Sequence, residues 1–327
     1  MRDVIIVGAG PCGISAAIEL QLIQLQSLII EKNSIVHSIY MYPTYMSFFS
    51  TPELLEIGNI PFTTPNEKPT RTEALVYYRN VAKHYKLAIQ PYEAVIAINQ
   101  LGDHFEVQTL NRFQETSSYE ARHVVIALGY FEQPNLLNIP GESLSKVTHY
   151  FREAHPYTGM KVAIIGGSNS AVDAALELNR VGAEVTVIYR GEGISTSIKP
   201  WVRPHYESLV KKGTIRMLFQ ANVKQIDPRS ITIQTDTETV TLENDFVLAL
   251  TGFRPNRKLL EEAGVRMQPG GDKPEHNPET METNVKGLYI AGVIASGENA
   301  NEVFIETGRF HGRLIAQDIA EKLADSR

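Results

Sequence analysis

The chain of 327 residues holds one cysteine, Cys12. A lone thiol excludes an internal disulfide, and without a Cys-x-x-Cys pair there is neither a dithiol for redox exchange nor a thiolate set for zinc. No apolar run approaches the ~20 residues of a membrane helix, and the chain enters its first strand, Val4 to Val7, without a leader, so a cytoplasmic location is expected. Positive charge is not in excess either. The formal net charge is -6, with Lys and Arg scattered, which removes any general attraction to nucleic acid or anionic membranes and points to small-molecule partners. Low-complexity segments are lacking, and the apolar and charged fractions are those of a globular protein large enough for two cores.

What is present is periodic. Val4-Ile5-Ile6-Val7, a glycine turn, a helix over Ile14 to Leu22 and a strand over Ser27 to Ile30 make one βαβ unit. A second runs from Val162-Ala163-Ile164-Ile165 through a turn and a helix over Ser170 to Arg180 to Val185-Thr186-Val187-Ile188. Apolar strands closing in Gly129 and Gly252 read as two crossings between domains. A last buried strand, Gly287 to Gly292, is expected to return to the first sheet, followed by one helix from about Glu302 to Lys322 with apolar faces at Val303, Phe304, Phe310, Leu314, Ile315 and Ile319. The expected class is α/β with two Rossmann-like domains, one inserted in the other: residues 1–130 with 251–327, and residues 131–250.

Gly8-x-Gly10-x-x-Gly13 follows a strand and opens a helix. There the glycines permit a tight turn, close approach to a pyrophosphate and helix-strand packing, and the helix end supplies N–H donors. Glu31, closing the next strand, can bind ribose hydroxyls, so this loop, with Pro11 and Cys12 inside it, is read as an FAD site. In the second loop, Gly166-Gly167-Ser168-Asn169-Ser170-Ala171, serine replaces the middle glycine, and the next strand ends in Tyr189-Arg190 rather than an acid. A cation there favours a 2′-phosphate, hence NADPH, with Lys199 and Arg203 as further charge or as solvated residues. Two such sites imply hydride transfer from nicotinamide to flavin.

With Ala127-x-Gly129, Thr251-Gly252-x-x-Pro255 and Gly287-Leu288-Tyr289-x-x-Gly292 added, the order of motifs resembles the low-molecular-weight thioredoxin reductase family over nearly the whole chain. The resemblance implies an NADPH domain inserted in an FAD domain, and a homodimer. It also implies a Cys-x-x-Cys pair just before the second loop, where this chain has Tyr150-Phe151-Arg152-Glu153-Ala154-His155-Pro156-Tyr157. A narrower similarity fits that departure. Gly10-Pro11-Cys12-Gly13, Ser38-Ile39-Tyr40-x-Tyr42-Pro43-Thr44, Ala74 to Arg79, His149 to Tyr157, Ser197-Ile198-Lys199-Pro200-Trp201 and Phe304-Ile305-Glu306-x-Gly308-x-Phe310-His311-Gly312 resemble the bacillithiol-disulfide reductases, which implies FAD, NADPH and a low-molecular-weight thiol disulfide. The implied cofactor contacts extend to Lys32, Tyr42, Ala127, Gly129, Gly252, Gly292, Val293, Phe304 and Ile305. Where the broad family ends its last FAD strand in Gly-Asp, this chain has Gly292-Val293, so the helix near Phe304 and Ile305 is expected to offset flavin charge.

Cys12 has two readings: a thiolate nucleophile whose pKa the helix N-terminus lowers, or a small buried residue packing the loop while the flavin reduces the disulfide directly. Tyr40, Tyr42, Tyr45, Phe48 and Phe49 can cover a flavin ring or pack a core. Lys68 and Arg71 are solvated or meet substrate carboxylates, and His155 and His311 are structural or donate protons to a leaving thiolate. Rival functions are a ferredoxin-NADP reductase, a flavin monooxygenase suggested by Phe151-x-x-x-His155, and a non-catalytic redox sensor.

Overall fold

In the computed structural model, residues 1–269, 273–297 and 302–325 are described. The chain forms two compact units, Met1–Gln133 with Phe253–Arg327, and Pro134–Gly252. Strands β1 (Arg2–Val7) and β2 (Ser27–Glu31) flank helix α1 (Pro11–Leu22). Short α2 (His37–Met41) and α3 (Pro52–Leu55) lead to α4 (Arg71–His84), then to β3 (Ile89–Pro91), β4 (Glu93–Leu101), β5 (His104–Asn111) and β6 (Thr116–Ile126). The second unit contains β7 (Val147–Thr148), β8 (Lys161–Ile165), α5 (Asn169–Arg180), β9 (Glu184–Ile188), α6 (Arg203–Lys211) and β10 (Ile215–Leu218). It continues with β11 (Asn222–Asp227), β12 (Ser230–Gln234), β13 (Thr239–Glu243) and β14 (Phe246–Ala249). The first unit resumes with α7 (Lys258–Glu262), β15 (Leu288–Ile290), α8 (Ile305–Gly308) and α9 (His311–Asp325).

Continuous apolar runs make the parallel strands, because both faces are covered. In β1, Val4, Ile5 and Ile6 have no exposed surface. Its sheet runs β3-β2-β1-β6-β5-β4, and β6 carries two partners along one edge: residues 116–121 pair antiparallel with β5, and residues 124–126 pair parallel with β15. In the second unit a parallel sheet, β10-β9-β8-β14-β7, stands with a separate antiparallel sheet, β11-β12-β13. The antiparallel strands of both units are absent from the sequence reading, since their half-exposed alternation gives a weaker signal than a buried run.

Helix starts follow their caps. Pro11 occupies the first turn of α1, where its missing N–H is harmless, so the helix begins ahead of the expected Ile14. Thr70 and Glu73 form a reciprocal capping box that starts α4 at Arg71. The single helix expected from Glu302 to Lys322 is instead broken into α8 and α9. The side chain of Ser15 donates to the Arg309 carbonyl at 2.7 Å, and the Arg309 guanidinium donates to the carbonyls of Glu53 and Glu56, so tertiary contacts hold the junction out of line. Phe304 and Phe310, read as core-facing, are about half exposed as a result.

Candidate functional site

The first glycine loop is shaped by three different restraints. Gly8 has φ +108°, and a Cβ on it would stand 2.8 Å from the Ala127 carbonyl oxygen at the end of β6. At Gly13 a Cβ would lie 2.1 Å from the Gly8 carbonyl oxygen, so α1 packs on the loop with no room for a side chain. Gly10 differs. Nothing lies within 4 Å of its Cβ position, which is the open space a pyrophosphate approaching the backbone needs. No side chain caps α1, and its first N–H groups have no partners one turn back, so the helix end offers donors to an anion.

Glu31 is buried, and its two carboxylate oxygens accept the N–H groups of Ala9 and Asn33, each at 2.8 Å. Burial raises its pKa, against the pull of those donors. The residue assigned to a ribose therefore also braces the loop, keeping further lone pairs for hydroxyl donors. Lys32 pairs with Glu132 at 3.0 Å on the surface.

The second loop repeats the first contact: a Cβ on Gly166 would stand 2.5 Å from the Leu250 carbonyl oxygen, just past β14. Gly167 lies under the Tyr189 ring, 2.3 Å from a hypothetical Cβ, and Ser168 is the N-cap residue of α5 without using its side chain as a cap. Ser170 is exposed in the first turn of that helix. Asn169 is occupied locally, its side chain donating to the Ser197 carbonyl at 3.0 Å and accepting the Lys199 N–H at 2.9 Å. Lys199, a choice between cofactor charge and solvated residue in the sequence, is ion-paired to Asp173 at 2.8 Å, and Arg203 pairs with Glu207 on its own helix. Arg190 is the exposed cation at the end of β9. Gly252 is hydrogen-bonded through its carbonyl to the Asn135 N–H at 2.9 Å.

At the carboxyl end of the first sheet, Ile126 stands level with Val7 on one side and Ile290 on the other. The loop after β1 and the turn after β15 thus share the sheet end at which ligands of open α/β sheets bind. They touch through Cys12. Its sulfur would lie 2.9 Å from a Cβ on Gly292 and 2.9 Å from one on Gly308. Burial, with the Glu306 carboxylate adding to it, pushes the thiol up to about 12, the reverse of the lowering expected from a helix N-terminus. His311 accepts the Gly292 N–H on Nδ1 at 3.1 Å, and burial, aided by His276, holds its pKa down at about 4, so the ring is neutral at physiological pH.

Val293 is half-buried in the turn, Ile305 is partly buried, and α8 spans only four residues, too short for the macrodipole expected of it. Tyr42 meets Phe131 edge-on at 5.0 Å and Phe48 at 6.2 Å, and Phe131 lies 4.4 Å from Phe253. Tyr40, Tyr45 and Phe49 are exposed whereas Phe48 is core. Arg71 is buried rather than solvated, with its guanidinium donating to the Tyr40 carbonyl at 2.5 Å and lying 5.3 Å from that residue's ring. Lys68 is half-buried, Gly129 approaches the Ser38 hydroxyl, and His155 is exposed at the start of a short turn. A cleft of about 430 Å³ beside α4, lined by Ile60, Phe62, Val76, Tyr77, Asn80 and His84 among others, shares no residue with either glycine loop. Among the described residues no helix is long and apolar enough to cross a membrane, and no cluster of three metal-ligating side chains occurs.

The model of the pyridine nucleotide-disulphide oxidoreductase family matches residues 5–292. The chain is 49% identical over 320 residues to the bacilliredoxin reductase Bdr of Bacillus subtilis (strain 168), covering 97% of each. It superposes on the bacillithiol disulfide reductase Bdr of Bacillus cereus with TM-score 0.96 at 49% identity, covering 98% of this chain and 99% of that one. A thioredoxin reductase of T. acidophilum shares the fold, with TM-score 0.78 at 22% identity over 99% of both chains.

Proposed function

Because the chain belongs to the pyridine nucleotide-disulphide oxidoreductase family, and is thus an enzyme built for a flavin and a nicotinamide cofactor, we propose that it takes hydride from NADPH onto FAD and reduces the disulfide of a low-molecular-weight thiol, bacillithiol disulfide above all. The observation that carries this is the doubled loop: Gly8 against Ala127 and Gly166 against Leu250 are one contact built twice, in two units of one chain. The first loop, with space at Gly10 and the Glu31 carboxylate beside it, is the place for FAD. The second, with Ser168, Ser170, Tyr189 and Arg190 around it, is the place for NADPH.

A flavin held there would supply the acceptor for the nicotinamide hydride and the electron pair that reduces the disulfide. The chain's residues do the rest: the N–H groups at the start of α1 and α5 bind pyrophosphate, Arg190 selects the 2′-phosphate, and Tyr42 with its aromatic neighbours walls the site. The balance is one NADPH, one proton and one disulfide giving NADP⁺ and two thiols. Cys12 packs the loop in this reading, because a thiol pushed up to about 12 holds almost no thiolate near neutral pH. A homodimer in the cytoplasm completes the proposal, and light scattering at about twice the 36.5 kDa chain mass tests it.

The purified protein is expected to be yellow, to bleach anaerobically with NADPH, and then to be reoxidised selectively by bacillithiol disulfide. Reoxidation by ferredoxin instead, or a long-lived oxygen adduct with NADPH consumption, overturns the substrate. A colourless protein that takes up no FAD overturns the whole reading.

A further inference from the structure

Gly292 is held from three sides. Its φ is +80°, the Cys12 sulfur fills the direction a side chain would take, and a Cβ on Gly308 would come within 3.0 Å of its Cα. The third restraint is the His311 imidazole at the first position of α9, which accepts the Gly292 N–H. Gly292 opens the turn after β15, and that turn meets α1 at the residue next to Pro11, inside the glycine loop. Any displacement of the turn therefore bears on Cys12, two residues from Gly10 in the glycine loop. A cationic imidazole would place an N–H against the Gly292 N–H, whereas burial and the facing His276 keep the ring neutral.

We propose that His311 is a positioning residue of the flavin cleft, its imidazole fixing the turn after β15 against the glycine loop through the Gly292 N–H. The inference rests on the assignment of FAD to this loop. The acceptor must sit at the Nδ1 position, and this makes the role separable from mere packing. Asparagine places its amide oxygen close to that point, glutamine carries its oxygen one bond further out, and leucine has no acceptor.

The test uses the full-length holoprotein with His311→Asn, His311→Gln and His311→Leu, measuring the FAD dissociation constant after removal and re-addition of the cofactor, the flavin midpoint potential, and the visible flavin spectrum. Asn is expected to stay within about twofold of the parent affinity, while Gln and Leu weaken it about tenfold, the scale of one lost hydrogen bond, and displace the spectrum and potential. Asn and Gln fold or fail as a pair of comparable polarity, so a misfolded Leu variant leaves the comparison intact. Equal affinities and spectra for Asn and Gln overturn the inference while leaving FAD binding standing. A parent protein that binds no FAD overturns both.

Discussion

Alanine at Gly10 and alanine at Gly13 are expected to fail in different ways. Gly13→Ala forces a Cβ to 2.1 Å from the Gly8 carbonyl, so loop or helix must move, and a thermal melt should show a loss of about 2 kcal/mol or more. Gly10→Ala meets open space at φ -76°, an ordinary value for alanine, so the melting temperature of the apoprotein should hardly change while FAD uptake falls. Cys12→Ala should keep disulfide reduction, measured by anaerobic reoxidation of the reduced enzyme; loss of that step with normal flavin reduction would restore the nucleophile. At this scale the loop glycines were legible because their reason is local. Arg71, Asn169 and Lys199 were not, because the partners that engage them, Tyr40, Ser197 and Asp173, lie 26 to 31 positions away.

Among the elements, α4 shows how a short motif sets a boundary. Thr70→Ala removes the hydroxyl that accepts the Glu73 N–H and should lower stability by about 1 kcal/mol in chemical denaturation. At the end of β9, Arg190→Ala is expected to raise the KM for NADPH about tenfold and leave that for NADH nearly unchanged, because only the former carries a 2′-phosphate. The buried parallel strands β1, β2, β8, β9, β14 and β15, with α1 and α5, could be read from apolar runs, whereas the short parallel strands β3, β7 and β10 and the helix α6 could not. The break between α8 and α9 could not, since Ser15, Glu53 and Glu56, which hold Arg309, are more than 250 residues distant in sequence.

For the molecule as a whole, acid and, on the proposed assignment, loss of FAD are expected to act on the first unit. The folded His311 titrates at about 4 against 6.5 for the free side chain, so its contribution to stability is complete above pH 6.5 and disappears as pH falls through 4. Urea midpoints across that range should fall less in His311→Asn than in the parent. Removing FAD should lower the melting temperature, since a ligand at a hundred times its dissociation constant contributes about 2.7 kcal/mol. The pairing of β15 with the middle of the first sheet has one more consequence, for synthesis. Because residues 134–252 intervene, the ribosome makes the Gly8 to Gly13 loop long before Gly292 and His311. At roughly 5–20 residues per second the nascent first unit waits many seconds with residues 124–126 of β6 lacking their β15 partner. The contact between the glycine loop and the turn after β15 forms only after the inserted unit has already had time to fold.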